Sequence, residues 1–188
     1  MSVAAVPSLM TTKELLALVE DGRDCWLIRG QLREKPKAFH TRAHSRTMVC
    51  VGSLLINWLD QQPQPRGEVL TGEAAFQLRR DPDTTVGIDV AYISAETAQS
   101  NPDDAFIIDG VPVLAVEILS PSDKQEDVFA KVQDYLDAGV PLVWIAETVF
   151  KTITAYRPGT DPVMFTAKQE LNEGRTVTSA AAPTPAGQ

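Results

Sequence analysis

The stretch PVLAVEILSPSDKQEDVFAKVQDYLDAGVPLVWIAE, residues 112–147, decides how this chain folds. Its opening, VLAVEIL (113–119), is a short apolar run closed off by Pro121, the pattern of a buried strand. Side chains alternate along a strand, so Val113, Ala115, Glu117 and Leu119 share one face, and Leu114, Val116 and Ile118 the other. A helix is predicted next, over about 123–138. Val128, Phe129, Val132, Tyr135 and Leu136 make its apolar stripe. Ser122 stands as its N-cap, with Gln125 at the capping-box position, and Gly139 ends it. LVWIA (142–146) then reads as a second strand.

Glu117 is out of place in such a strand. A buried carboxylate needs a cationic partner, a metal ion or a proton. A surface Arg or Lys would serve, and that reading stands open for Glu117 alone. A second carboxylate, Asp89, lies among apolar residues in GIDVAYIS (87–94), another predicted strand. If the two strands pair, the carboxylates approach each other, repel, and favour a hard dication. Mg²⁺ suits best, since it takes few protein oxygens and keeps several waters. Lys131 sits at the edge of the helix stripe beside Tyr135, with Lys124 seven residues earlier on the same flank. From there a lysine can reach over the sheet toward a phosphate, although the commoner position for such a lysine is solvent.

Outward from this segment the pattern continues. Thr11-x-x-Glu14 has capping-box spacing before Leu15, Leu16, Leu18 and Val19, so a helix starts at Thr11 or Thr12 and stops near Gly22. CWLIRGQLRE (25–34) reads as strand, turn at Gly30, strand. A helix follows over about 41–60, with Met48, Val51, Leu55, Ile56 and Leu59 at helical spacing. Residues 67–80 are strand-like, 81–85 a turn, 95–105 a polar loop around Pro102, 106–110 strand-like, and KTITAY (151–156) a further strand. From Arg157 the hydrophobic pattern weakens, and TSAAAPTPAGQ (178–188) has the composition of a disordered end. Helices and strands interleave throughout, which predicts an α/β or α+β domain with a mixed sheet.

Composition sets bounds. With 44% hydrophobic residues the chain has enough for one core. Its 17 basic and 25 acidic residues give a net charge of −8, so overall charge lends no support to nucleic-acid binding. Cys25 and Cys50 are too few for a disulfide framework or a zinc cluster, and Cys50, inside an apolar helical pattern, is expected to be a buried thiol. The first ten residues carry no basic n-region, and no segment nears the roughly 20 apolar residues of a membrane span, so a soluble cytoplasmic protein is expected.

GIDVAYIS (87–94), PVLAVEILSPSD (112–123), KVQDYLDAGVPLVWIAE (131–147) and ITAYRPG (153–159) resemble, in order and spacing, the Uma-type restriction endonuclease family, a branch of the PD-(D/E)XK nuclease superfamily. TTKELLALVEDG (11–22), LIRGQLRE (27–34), the run bearing His44 and VLTGEAAFQLRRDPDT (69–84) extend the likeness over about 11–160. The resemblance divides the chain into an extension (1–10), a nuclease-like domain (11–160) and a tail (161–188). It implies a restriction-endonuclease-like mixed sheet flanked by helices. Asp89 and Glu117 would be the metal-binding pair, and Glu73 an auxiliary ligand. The superfamily lysine position is held here by Leu119, and Lys131 on the helix would replace it. The implied cofactor is Mg²⁺ or Mn²⁺, the partner nucleic acid, DNA in the first place, and the assembly a homodimer. Three departures stand out: Ile88 where a proline is usual, Trp26 where the first strand often carries a glutamate, and a different C-terminal run.

The expected activity is thus metal-dependent phosphodiester hydrolysis, with Lys35, Lys37, Arg42 and Arg46 as a candidate backbone contact. The competing expectation is a catalytically inactive interaction protein on the same fold, which the net charge and Trp26 favour. A serine hydrolase built on Ser120 or Ser122 with His44 lacks a GxSxG elbow, and both serines read better as turn and cap residues.

Overall fold

The computed structural model describes residues 9–20, 23, 25–34, 40–121 and 123–166. Gly22, Lys35, Lys37, Ser122 and the end of the tail lie outside them. In chain order the elements are α1 (Thr12–Glu20), β1 (Cys25–Ile28), β2 (Gln31–Glu34), α2 (Arg42–Leu59), β3 (Glu68–Arg79), β4 (Thr84–Ile93), α3 (Ala95–Ser100), β5 (Ile108–Asp109), β6 (Leu114–Leu119), α4 (Gln125–Asp137), β7 (Val143–Glu147), β8 (Thr152–Tyr156) and β9 (Val163–Thr166). Among the described residues no helix is long and apolar enough to cross a membrane.

The nine strands form one sheet, β2-β1-β4-β6-β7-β8-β9, with β3 also on β4 and β5 on β3. The β6–β7 and β3–β5 pairs are parallel and the others antiparallel, so the sheet is mixed, as the sequence predicts. β3 follows one edge of β4 from Glu68↔Ile93 to Arg79↔Thr84. The opposite edge is divided: β6 pairs with it at Val90–Tyr92 and β1 at Thr85. Among the described residues, no strand pairs on that side with the part of β4 between those two contacts, where Asp89 lies.

The sheet carries an apolar core on each face. Ala115, Val143 and Ile145 join Val132 and Tyr135 of α4 on one, with Val128, Leu136 and Leu119 partly buried beside them. Leu114, Val116, Ile118 and Trp144 join Val51 and Leu55 of α2 on the other. Each fully buried aliphatic side chain contributes about 1.5–3 kcal/mol, so these stripes hold α2 and α4 against opposite faces. Alternation along β6 is thus as expected from its sequence.

Several expectations need correction. Phe129 is 55% exposed and Ile56 48% exposed, so neither belongs to the buried stripe of its helix. Cys50 is exposed. It follows Met48 by two residues, about 200° around the helix axis, and so points away from the sheet. α4 begins two residues later than a Ser122 cap requires: its N-cap is Lys124, with no side-chain cap bond. The segment read as a polar loop after residue 94 contains α3, capped by Ser94, whose side chain accepts from the Thr97 N–H. Beyond residue 160 the sheet gains β9, paired with β8 from Thr152↔Thr166 to Ala155↔Val163.

Candidate metal centre

The site forms where β4 and β6 part. Their ladder stops at Val90↔Val116, although both strands continue. One step further on in that register Asp89 faces Glu117. The Asp89 carboxylate accepts the Ile118 N–H through Oδ2 at 2.7 Å, a donor that a continuing ladder would give to a backbone carbonyl of β4. β3 is irregular at the same level. Its register shifts between Thr71 and Ala74, so Gly72 and Glu73 stand against the single residue Asp89. Both have left-handed backbone, at φ 89 and 59. A two-against-one bulge of this kind re-aims side chains. Its effect shows in β4, where Val86 and Ile88 face the α4-side core, Val90 faces the α2-side core, and Ala91 and Ile93 face α4 again. Strict alternation fails at Asp89.

Glu117 is 8% exposed and held at both oxygens. The Lys131 ammonium donates to Oε2 at 2.6 Å, and the Tyr135 hydroxyl to Oε1 at 2.6 Å. Lys131 and Tyr135 are four residues apart on α4 and therefore share the face that meets the sheet. Burial pushes the Glu117 carboxyl up and the Asp89 charge adds to it, against the pull of Lys131. Burial acts downward on Lys131, but the Glu117 carboxylate, with Asp89 and Glu73 behind it, outweighs this and holds its pKa up. Burial and the neighbouring Glu117 charge drive Tyr135 well above the usual phenol value, so it stays a donor. The structure therefore brings Asp89, Glu117 and Lys131 together, with Glu73 within their electrostatic range.

Asp89 is 6% exposed and has a neighbour that the sequence reading gave another role. His44, on the first turn of α2 and 3% exposed, places Nε2 3.3 Å from Asp89 Oδ2. The ring of His40 stacks on it, centroids 4.2 Å apart and planes 9° from parallel. On the other side His40 Nε2 lies 3.3 Å from Glu73 Oε1, so Glu73 reaches the site through a histidine. His44 is thus engaged with Asp89, and Ser120 is a turn residue whose N–H donates to Asp123. One signal pointed to His44: it lies four residues before Met48 and seven before Val51, inside the buried stripe of its helix. Nothing marks His40, which lies outside every regular element. Arg42 and Arg46 are exposed at the start of α2.

The donors fit a dication. Two buried carboxylates, on strands that separate at that level, supply hard oxygens, and imidazole nitrogens stand beside them. The site is thus an acidic pair where two strands part in a mixed sheet between helices, with a lysine bonded to one carboxylate. The comparisons give the family. The model of the Uma2 family, described as "Putative restriction endonuclease", matches residues 12–185, and the chain belongs to that family. Among solved structures it is similar to "a putative nuclease belonging to DUF820" from Anabaena variabilis ATCC 29413. The two are 23% identical over 83% of this chain and 84% of that one, with a TM-score of 0.66, a likeness of fold. No curated protein matches the chain.

Proposed function

We propose that the chain is a metal-dependent endonuclease that hydrolyses phosphodiester bonds, with DNA as the first substrate to test. The observation that carries the reading is the neighbouring pair Asp89 and Glu117, both buried, with Lys131 bonded to Glu117. Asp89 and Glu117 would hold the cation, Mg²⁺ or Mn²⁺, with Glu73 as an auxiliary group. A dication bound there supplies Lewis acidity toward a phosphate oxygen and lowers the pKa of a water. Lys131 has a side chain 35% exposed and an ammonium anchored by Glu117. It offsets negative charge that builds on the phosphate in the transition state. Tyr135 fixes Glu117 by occupying its other oxygen. Arg42 and Arg46, exposed beside His44, are the candidate backbone contacts among the described residues. Cutting both strands of a duplex needs two sites, so a homodimer belongs to the proposal.

Glu117→Gln keeps the shape and removes the charge. Cleavage of plasmid and of labelled single strands with Mg²⁺ or Mn²⁺ should fall by at least about 100-fold, as for loss of a charge-stabilising group. Equal cleavage by wild type and a folded E117Q would refute the reading. A second reading is an interaction protein without catalysis. The net charge of −8 favours it, as does the occupation of both Glu117 oxygens by protein donors. Calorimetry with millimolar Mg²⁺ and Mn²⁺ separates the two, since only the first requires heat of binding.

A further inference from the structure

The family pattern supplies carboxylates, but the structure adds imidazoles. One ligand atom from each of His40, His44 and Asp89 lies within 4.8 Å of the other two. His44 is the telling member. It is 3% exposed, its Nε2 faces Asp89, and its Nδ1 is buried without a hydrogen-bond partner. A polar nitrogen buried without a partner costs about 1–3 kcal/mol.

We propose that His40, His44 and Asp89 form a site for an imidazole-preferring transition dication, Zn²⁺ in type, at the edge of the acidic centre. The inference rests on Asp89 acting as a cation ligand, as in the preceding reading, and changes which cation the centre prefers. Two nitrogens and one carboxylate are a poor set for Mg²⁺, which favours oxygen and water, and a good one for Zn²⁺, Co²⁺ or Ni²⁺. Three protein ligands leave a position open, as catalytic sites of this kind require. His40 gives that opening: it lies outside any helix or strand and its side chain is 36% exposed. Its ring now lies parallel to that of His44. Lone pairs in parallel planes do not converge, so His40 must turn out of the stack to bind, as an exposed side chain can. Glu73 Oε1, 3.3 Å from His40 Nε2, would be a second-sphere partner for that nitrogen with Nδ1 on the cation.

The test uses the full chain without an affinity tag, titrated with Co²⁺ and followed by visible absorption. The chain has two histidines in all, so a histidine signal has two sources. The expected result is d–d bands that saturate near one equivalent and persist in millimolar Mg²⁺. His40→Gln should weaken Co²⁺ binding by at least about tenfold, the lower range for disturbing a metal's ligand shell. Because His44 is in the core, His44→Gln is read only alongside circular dichroism. Imidazole ¹⁵N shifts of the wild type during Zn²⁺ titration supply a measurement that needs no variant, and both histidines should move. Unchanged Co²⁺ binding in His40→Gln, imidazole shifts that stay put, or displacement by Mg²⁺ would each overturn the proposal. If Mg²⁺ then still binds in an Asp89-dependent way, the acidic centre stands without the histidines. If no cation binds at all, both readings fall.

Discussion

Tyr135→Phe isolates a single bond at the centre of the site. Tyr135 is fully buried at 0% exposure, and its ring packs in the α4-side core, which phenylalanine preserves. The hydroxyl makes one strong contact, 2.6 Å to Glu117 Oε1; the other, 3.5 Å to the Gly87 carbonyl, is too long to count for much. A hydrogen bond to a charged acceptor contributes about 1.5–3 kcal/mol. For a domain of this size that lowers Tm by roughly 3–12 °C. The sign of the pH effect follows from the folded-state shift. Glu117 already titrates above its ordinary 4.5, and the Tyr135 bond is one of the influences holding it down. Removing that bond raises the folded pKa further. The folded variant then binds more protons than the folded wild type between the two values, so its deficit is small in acid and grows as pH rises through them. Urea unfolding at several pH values measures this, with m unchanged as the check that the folded state is intact. In a Glu117→Gln background the bond is neutral and the cost should fall to about 0.5–1.5 kcal/mol. A wild-type-like Tyr135→Phe, within about 0.5 kcal/mol, or an equal loss in both backgrounds, would refute the reasoning.

Asp83 accepts from both the Thr12 N–H and hydroxyl at 2.7 Å and from Gln77 at 3.0 Å, tying the start of α1 to the turn before β4. Burial acts upward on its carboxyl, but the Thr12 bonds win and its pKa lies below the ordinary 3.8. Its contribution is therefore present above 3.8 and lost as pH falls below it. Asp83→Asn should cost about 1–3 kcal/mol at neutral pH and flatten the acid limb of the stability profile. Cys50→Ser should stay within about 0.5 kcal/mol of wild type in thermal melts, because the thiol is exposed, whereas a buried thiol would cost more. Gly67→Ala should lose at least about 1–3 kcal/mol in urea unfolding, because the added Cβ would sit 1.9 Å from the Ile93 carbonyl oxygen, which only the backbone can relieve.

Where a local rule and tertiary packing agree, the elements were legible in the sequence. Thr11-x-x-Glu14 folds as a capping box, with the Thr11 N–H 2.7 Å from the Glu14 carboxylate. Residues 114–119 alternate between the two cores as their period requires. α3 escaped notice because six residues around a serine cap carry no apolar period. β9 escaped for a related reason: it pairs with β8 alone and three of its four residues are exposed, so burial left no mark on its composition. Cys50 and Phe129 show the reverse error. Each is an apolar residue inside an amphipathic pattern, but Cys50 points away from the buried stripe of α2, and Phe129 stands at the edge of the α4 stripe, 55% exposed.

The acidic pair and the histidines differed in legibility for a reason rooted in the sheet. A carboxylate inside an apolar strand is anomalous on its own, so Asp89 and Glu117 stood out before any partner was known. His44 is anomalous only once the burial of its helix face is known, and His40 only once the fold has stacked it on His44. What joins them is the bulge of Gly72 and Glu73 against Asp89. It breaks alternation in β4 at the residue whose carboxylate must serve both sides. Asp89 receives an N–H from β6 and a histidine from α2, while its charge acts on Glu117 and Lys131 on the α4 side. In a regular strand a residue serves one face only. The irregularity in β3 thus lets one aspartate belong to the carboxylate–lysine group and to the histidine group at once. At the bulge Glu73 takes a left-handed conformation that costs a non-glycine residue about 1–3 kcal/mol, and its carboxylate lies against His40.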